Sequence, residues 1–212
     1  MKSCLTALMS AGMVLITAAW VPVTQAEDKN PAERQYLLGD WGGKRAELEE
    51  QGISFLGYVL SDVMGNVRGG LKRGVPYWEH LALGAGVDTE KSGLWKDGTF
   101  FVLLNGDLGD QPTKYVGDFQ WTDSWQGFNN AAVMEAWYEH SFLDKAASLR
   151  AGLQDLSTEM DLLRYGFPLF NSSFSTNAEF AQITPPIYPL SALGARLRLD
   201  PFEKSYILTG LF

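Results

Sequence analysis

Two segments carry polar side chains at a spacing that could do chemistry. In Val133–His140, Glu135, Trp137 and Glu139 recur at every second position. An extended strand turns successive side chains to opposite faces, so two carboxylates and an indole share one face, while Met134, Ala136 and Tyr138 share the other. In Ala192–Asp200 the same parity groups Gly194, Arg196, Arg198 and Asp200, backed by Leu193, Ala195, Leu197 and Leu199. Between them, Arg150 falls on a face with Ser148, Gly152 and Gln154. Carboxylates and guanidinium groups on one surface exchange hydrogen bonds with hydroxyls, and an indole covers the C–H face of a pyranose. Glu135, Trp137, Glu139, Arg150, Arg196 and Arg198 are therefore the candidate substrate-binding set. The same residues would also suit a charge lattice that braces a wall and binds nothing; the pattern leaves both readings open.

Other chemistries fit less well. Glu135 and Glu139 lie about 13 Å apart by strand rise, beyond the roughly 5–9.5 Å that glycoside hydrolysis needs. His80 and His140, the two histidines, each follow a glutamate and belong to no HExxH pattern. Without further thiol or imidazole ligands, no metal or other cofactor is expected. His140 and Ser141 are adjacent, so a strand would point them apart and deny a nucleophile–base pair. His140 is expected near a membrane interface beside Phe142.

The elements that would position these side chains are strands of about ten residues. Period two runs through Ile53–Asn66, Tyr77–Thr89, Thr99–Gly109, Val133–His140, Leu149–Leu156, Ala192–Leu199 and Tyr206–Phe212, about seven strands in all. Leu81, Leu83, Ala85 and Val87 oppose His80, Ala82, Gly84 and Gly86, a small-residue face that would leave room in a lumen. The first strand is less clear, since Leu56, Tyr58 and Leu60 oppose Phe55, Val59 and Val63. Connections alternate in length. Val67–Pro76, Asp110–Asn130 and Asp155–Pro189 are long, whereas Lys91–Gly93, Leu143–Lys145 and Asp200–Lys204 are tight. Strands with turns at one end and loops at the other are what a transmembrane β-barrel requires. The longest loop is expected to fold inward, and Trp121 and Trp125 either guide sugars or join an aromatic girdle.

The remainder of the chain agrees. Residues 1–26 read as a signal peptide: Lys2 opens it, Leu5 to Val23 is mostly apolar, and Thr24-Gln25-Ala26 precedes a polar stretch. Cys4, the one cysteine, goes with it, which excludes a disulfide scaffold. Residues 27–51 form a leader and a short periplasmic helix, with Asp40 as N-cap and Gly52 as stop. Residues 52–212 hold the barrel strands. No later stretch has about 18 uninterrupted apolar residues, and a chain that crosses a bilayer without helices must close its strand edges. The net charge of −8 argues against a nucleic-acid partner. Bacterial single-chain barrels use even strand numbers from about eight upward, so the chain is expected to be the front part of a larger barrel.

Four ordered motifs carry a family resemblance: Leu37–Gly43, Gly65–Gly74, Glu135–Glu139 leading into Leu149–Gly152, and Tyr188–Arg198. Together they resemble the OprB family of carbohydrate-selective porins. The resemblance implies an all-β transmembrane antiparallel barrel, generally of sixteen strands, in the outer membrane of a Gram-negative bacterium. It implies facilitated diffusion of glucose and related sugars, contact with outer-membrane lipid, and no enzyme activity; it leaves homo-oligomerisation open. Two other classes remain: a small eight-stranded outer-membrane barrel acting as enzyme or adhesin, and a secreted β-sandwich lectin.

Overall fold

The computed structural model describes residues 36, 38–161, 163, 165–166, 169–177, 186–202 and 205–212; the expected signal peptide lies outside them. The chain divides into two units at Lys44/Arg45. In the first, Asp40 accepts the Gly42 N–H at 3.0 Å, so it caps a turn rather than the helix it was expected to open. The helix, α1, spans Lys44–Glu50. It stops where expected, at Gly52 with φ 83°, whose N–H reaches Glu49 O at 3.1 Å.

Seven strands follow: β1 (Ile53–Val63), β2 (Tyr77–Asp88), β3 (Gly98–Gly109), β4 (Ala131–Phe142), β5 (Ala147–Gln154), β6 (Ala192–Phe202) and β7 (Ser205–Leu211). Each pairs antiparallel with the next, giving one sheet in chain order with β1 and β7 as its edges. A short helix, α2 (Thr113–Val116), sits in the connection from β3 to β4.

The sheet is polar where a soluble sheet would be apolar. Phe55, Val59, Leu83, Val102, Leu104 and Leu149 are 43–55% exposed, whereas His80 and Arg196 on the other face are at most 1% exposed. A two-faced sheet in water buries its apolar side; this one presents it outward, as a wall against hydrocarbon does. Pairing also settles β1, because Leu56, Tyr58 and Leu60 sit opposite Gly84, Ala82 and His80 on the inner face. The small residues of β2 do not leave the room expected of them. Ala82 is fully buried, and a Cβ built on Gly84 would already meet Phe101, Leu103 and Leu56 at 3.3–3.4 Å. Small residues here admit large neighbours.

Two irregularities depart from simple alternation. The β3–β4 register shifts between Leu103 and Leu104, which face Glu135 and Val133. Met134 is the extra residue of this bulge, and it is buried instead of continuing the outward row of Ala136 and Tyr138. β6 runs on to Phe202, past the expected turn at Asp200, with a register shift between Leu199 and Phe202. That irregularity spans Pro201, which has no N–H to give a ladder.

Connection length sorts by end as expected. One end has residues 89–97, 143–146 and 203–204; the other has 64–76, 110–130 and 155–191. Leu143, Asp144 and Lys145 all take positive φ of 52–69°, which closes β4 onto β5 in one tight turn. At that end, Tyr138 Oη lies between Trp95 Nε1 (2.7 Å) and His140 Nδ1 (2.9 Å), with Phe100 packed 4.7 Å from the Tyr138 ring. Such amphipathic clusters suit a membrane–water interface.

The long loops interlock. Asn66 Nδ2 and the Leu71 N–H both donate to Tyr115 O, at 3.1 and 2.7 Å, tying the first loop to α2. Ser124 N–H donates to Phe170 O at 2.6 Å and Ser172 N–H to Trp121 O at 2.9 Å, tying the second loop to the third.

Gly152 is one place where the strand packing is unforgiving. Its φ is 137°, and an added Cβ would strike the Ala136 carbonyl oxygen and lie 2.6 Å from Trp137 Cα. Gly152→Val is expected to reduce the folded, heat-modifiable fraction on electrophoresis severalfold. Gly57→Ala, whose Cβ would lie 3.5 Å from Leu83, should fold like the parent.

Candidate functional site

Antiparallel pairing brings the candidate residues of three strands together. Glu139 faces Arg150 across β4–β5, and Arg150 faces Arg196 across β5–β6. Two arginines opposite each other repel, so the arrangement needs carboxylates between them. Glu139 supplies one. It accepts from Arg150 Nη2 at 2.8 Å and from Arg196 Nη1 at 3.0 Å. Glu159 supplies the other, accepting from Arg196 Nε at 2.7 Å and Nη2 at 2.8 Å, and pairing with Arg150 Nη2 at 3.1 Å. Ser148 Oγ takes a further Arg196 N–H at 2.9 Å. The result is a closed lattice of two cations and two anions.

Trp137 and Glu135 extend it. The Arg150 guanidinium lies 3.9 Å from the Trp137 ring centroid, a cation–π distance. Trp137 Nε1 donates to Glu135 Oε2 at 2.6 Å, and Phe101 packs on the indole at 5.2 Å. Arg198 is engaged elsewhere, with Asp200 at 2.9 Å and over the Tyr206 ring at 4.8 Å. Five of the six predicted residues thus form one connected patch, and Arg198 forms a second.

Sequence parity missed Glu159. It lies just beyond a 3₁₀ turn, Leu156–Thr158, that opens the long loop; Asp155 caps this turn by accepting the Ser157 N–H at 2.8 Å. Loops carry no period, so nothing marked this carboxylate as a partner of Arg196. Its place shows that the start of the longest loop does turn inward onto the wall.

A second buried group was also illegible. His80 Nδ1 lies 2.7 Å from Asp107 Oδ1, and Tyr188 Oη donates to the same oxygen at 2.9 Å and to Trp125 O at 2.8 Å. Trp78 Nε1 donates to the same Trp125 carbonyl at 3.0 Å. The Tyr58, Trp125 and Tyr188 rings surround His80 at 5.3–5.7 Å. Trp125 therefore plugs onto the inner wall, and Trp121 lines the space beside it. That space is a cavity of about 570 Å³ between the strands and the two longer loops. Beneath it Asp123 is fully buried, with Oδ1 accepting the Trp125 N–H at 2.9 Å and Oδ2 unpartnered among the described residues. Burial pushes its carboxyl up to about 6; the Trp125 hydrogen bond lowers it, Asp62 raises it, His80 lowers it and Asp107 raises it.

Known proteins match this chain in both sequence and fold. The family model for "Carbohydrate-selective porin, OprB family" matches residues 72–212. A "Putative porin QuiX" of Acinetobacter baylyi is 27% identical over 71% of this chain and 36% of its own length. "Porin B" of Pseudomonas aeruginosa is 29% identical over 56% of this chain and 28% of its own. The chain thus spans about a third of the length of these curated relatives. In fold, it resembles the high-pH structure of Pseudomonas putida OprB with a TM-score of 0.77 at 21% identity, covering 84% of this chain and 44% of that one. The low-pH structure of the same protein gives 0.56 at 20% identity, covering 82% and 49%.

Two outcomes follow from the geometry. Arg196→Met takes from Glu139 and Glu159 one of the two cations they share and should cost about 3–5 kcal/mol, read as a shifted denaturation midpoint in detergent. Asp123 has a folded-state pKa above its unfolded one. Its stabilisation is therefore complete below the unfolded value and lost as pH rises through about 6. Protection factors of the Trp125 and Gln126 amides should fall across that window by at most about tenfold per pH unit, and Asp123→Asn should flatten the profile.

Proposed function

Because the chain belongs to the OprB family of carbohydrate-selective porins, we propose that it builds the wall of an outer-membrane channel for facilitated diffusion of glucose and related sugars. Members of this family are channels rather than enzymes. The soluble-lectin alternative required two packed sheets, whereas the described strands form one.

The observation that carries the proposal is the polarity of the sheet: an exposed apolar row outside, and inside a lattice of Glu139, Arg150, Glu159 and Arg196 with an indole against it. Paired guanidinium and carboxylate groups hold a fixed geometry, so the wall does not reorganise as a solute passes. Arg150, the less buried arginine, and Trp137 offer the donor and the ring that a pyranose meets. Weak contacts of this kind permit exit as well as entry. In this proposal Glu135 holds the indole in plane, and Arg198 and Asp200 flank the patch.

Liposome swelling tests it. Vesicles carrying the intact pore should swell faster in glucose than in an unrelated solute of equal size, and equal rates overturn the proposal. Arg150→Ala should change glucose flux and ion selectivity; no change in either removes Arg150 from the pathway.

A further inference from the structure

The cavity between the inner wall and the loops has a lining of definite sign. Glu135, Asp155 and Asp161 contribute three carboxylates to it, and the described lining residues include no lysine, arginine or histidine. The nearby guanidinium groups of Arg150 and Arg196 are already committed to Glu139 and Glu159. Tyr58, Phe119, Trp121, Trp125, Phe128 and Tyr188 make up the aromatic wall. Aromatic faces attract cations and cover C–H groups.

Asn105 supplies an independent sign that something binds. It lines the same cavity, is 9% exposed, and its Oδ1 has no hydrogen-bond partner among the described residues. A buried acceptor left unpaired is costly, and native structures keep few of them. A ligand N–H or O–H would complete it. Desolvation holds the Asp155 and Asp161 carboxyls above their ordinary range. Both spend their oxygens on neutral donors: Asp155 on Ser157 and the Tyr188 N–H, Asp161 on the Asn177 N–H. Among the described residues, neither has a counter-cation.

We propose that this cavity is a binding subsite that prefers hydroxyl-rich ligands bearing an ammonium group, the amino sugars, over neutral sugars, and rejects sugar acids. The inference rests on the porin function proposed above and refines its substrate class. The ammonium group meets the carboxylates and the ring faces, the hydroxyls donate to Asn105, and the C–H face lies on an indole. A ligand carboxylate would enter beside three like charges, and the described lining offers no cation to offset them. A volume of about 570 Å³ is in the range of small-molecule sites.

Tryptophan fluorescence of the detergent-folded protein reads the subsite directly, because Trp121 and Trp125 line it. The titrants are glucosamine, glucose and glucuronate at low salt, at about pH 6.5 so that an amine of pKa near 7.7 stays charged. Glucosamine should bind about tenfold tighter than glucose, and glucuronate more weakly than either. Asn105→Leu removes an acceptor that no described group uses, so it should weaken glucosamine and glucose together. Asp161→Asn keeps an acceptor for Asn177 while removing charge, and should bring the two sugars within about twofold.

Equal affinity for glucosamine and glucuronate overturns the subsite, as does an Asn105→Leu protein that binds like the parent. Where Asn105→Leu yields no folded species, Asp161→Asn decides, and an unchanged glucosamine-to-glucose ratio overturns the proposal. Absence of binding by all three, with glucose still crossing the reconstituted pore, removes the subsite alone. Absence of glucose flux strikes the porin function itself.

Discussion

A strand with hydrocarbon on one side and water on the other can give only every second residue to chemistry, and most of this structure follows from that constraint. Lipid-facing positions must be apolar, and backbone groups must be satisfied by neighbouring strands. Functional side chains along one strand are therefore two residues apart at best, a spacing that serves single pairs such as Arg198–Asp200 and Trp137–Glu135. A larger cluster must form across strands instead. Glu139, Arg150 and Arg196 do so because β4, β5 and β6 are neighbours in register.

Cross-strand pairing alone would have placed two arginines face to face. The lattice works because a carboxylate from outside the sheet, Glu159, enters from the loop and meets both. Charge balance and loop placement are thus one event: the loop is held to the wall by the ion pairs that make the wall electrically tolerable. Buried pairs are weak contributors to net stability but costly to break singly. Their role here is to fix position.

The sequence was most legible where periodicity rules. Strand existence, the sorting of long and short connections, and the common face of Glu135, Trp137, Glu139, Arg150 and Arg196 all follow from parity, and the pairing pattern agrees with them. Parity failed where the backbone slips. The bulge at Leu103/Leu104 buried Met134, and no turn residue announced it. It also could not say what fills the space over Gly84 and Ala82, because the answer lies on adjacent strands. The loops were nearly opaque: Glu159, Asp123, Trp125 and Tyr188 reach the inner wall through turns with no period to read. The ordered motifs named the family without placing any of these contacts.

The interlocked loops have a consequence for how such a protein can diverge. Tyr115 O serves donors from the first loop, and Trp125 O serves both Trp78 on the wall and Tyr188 in the third. These acceptors are main-chain atoms, so they survive substitution but not insertion or deletion. Point changes at Tyr115 or Trp125 leave the acceptor in place, while the side-chain donors Asn66, Trp78 and Tyr188 must be kept and loop length is inherited jointly. The three loops behave as one heritable unit, and a chimera that exchanged a single loop would carry the wrong half of each bond.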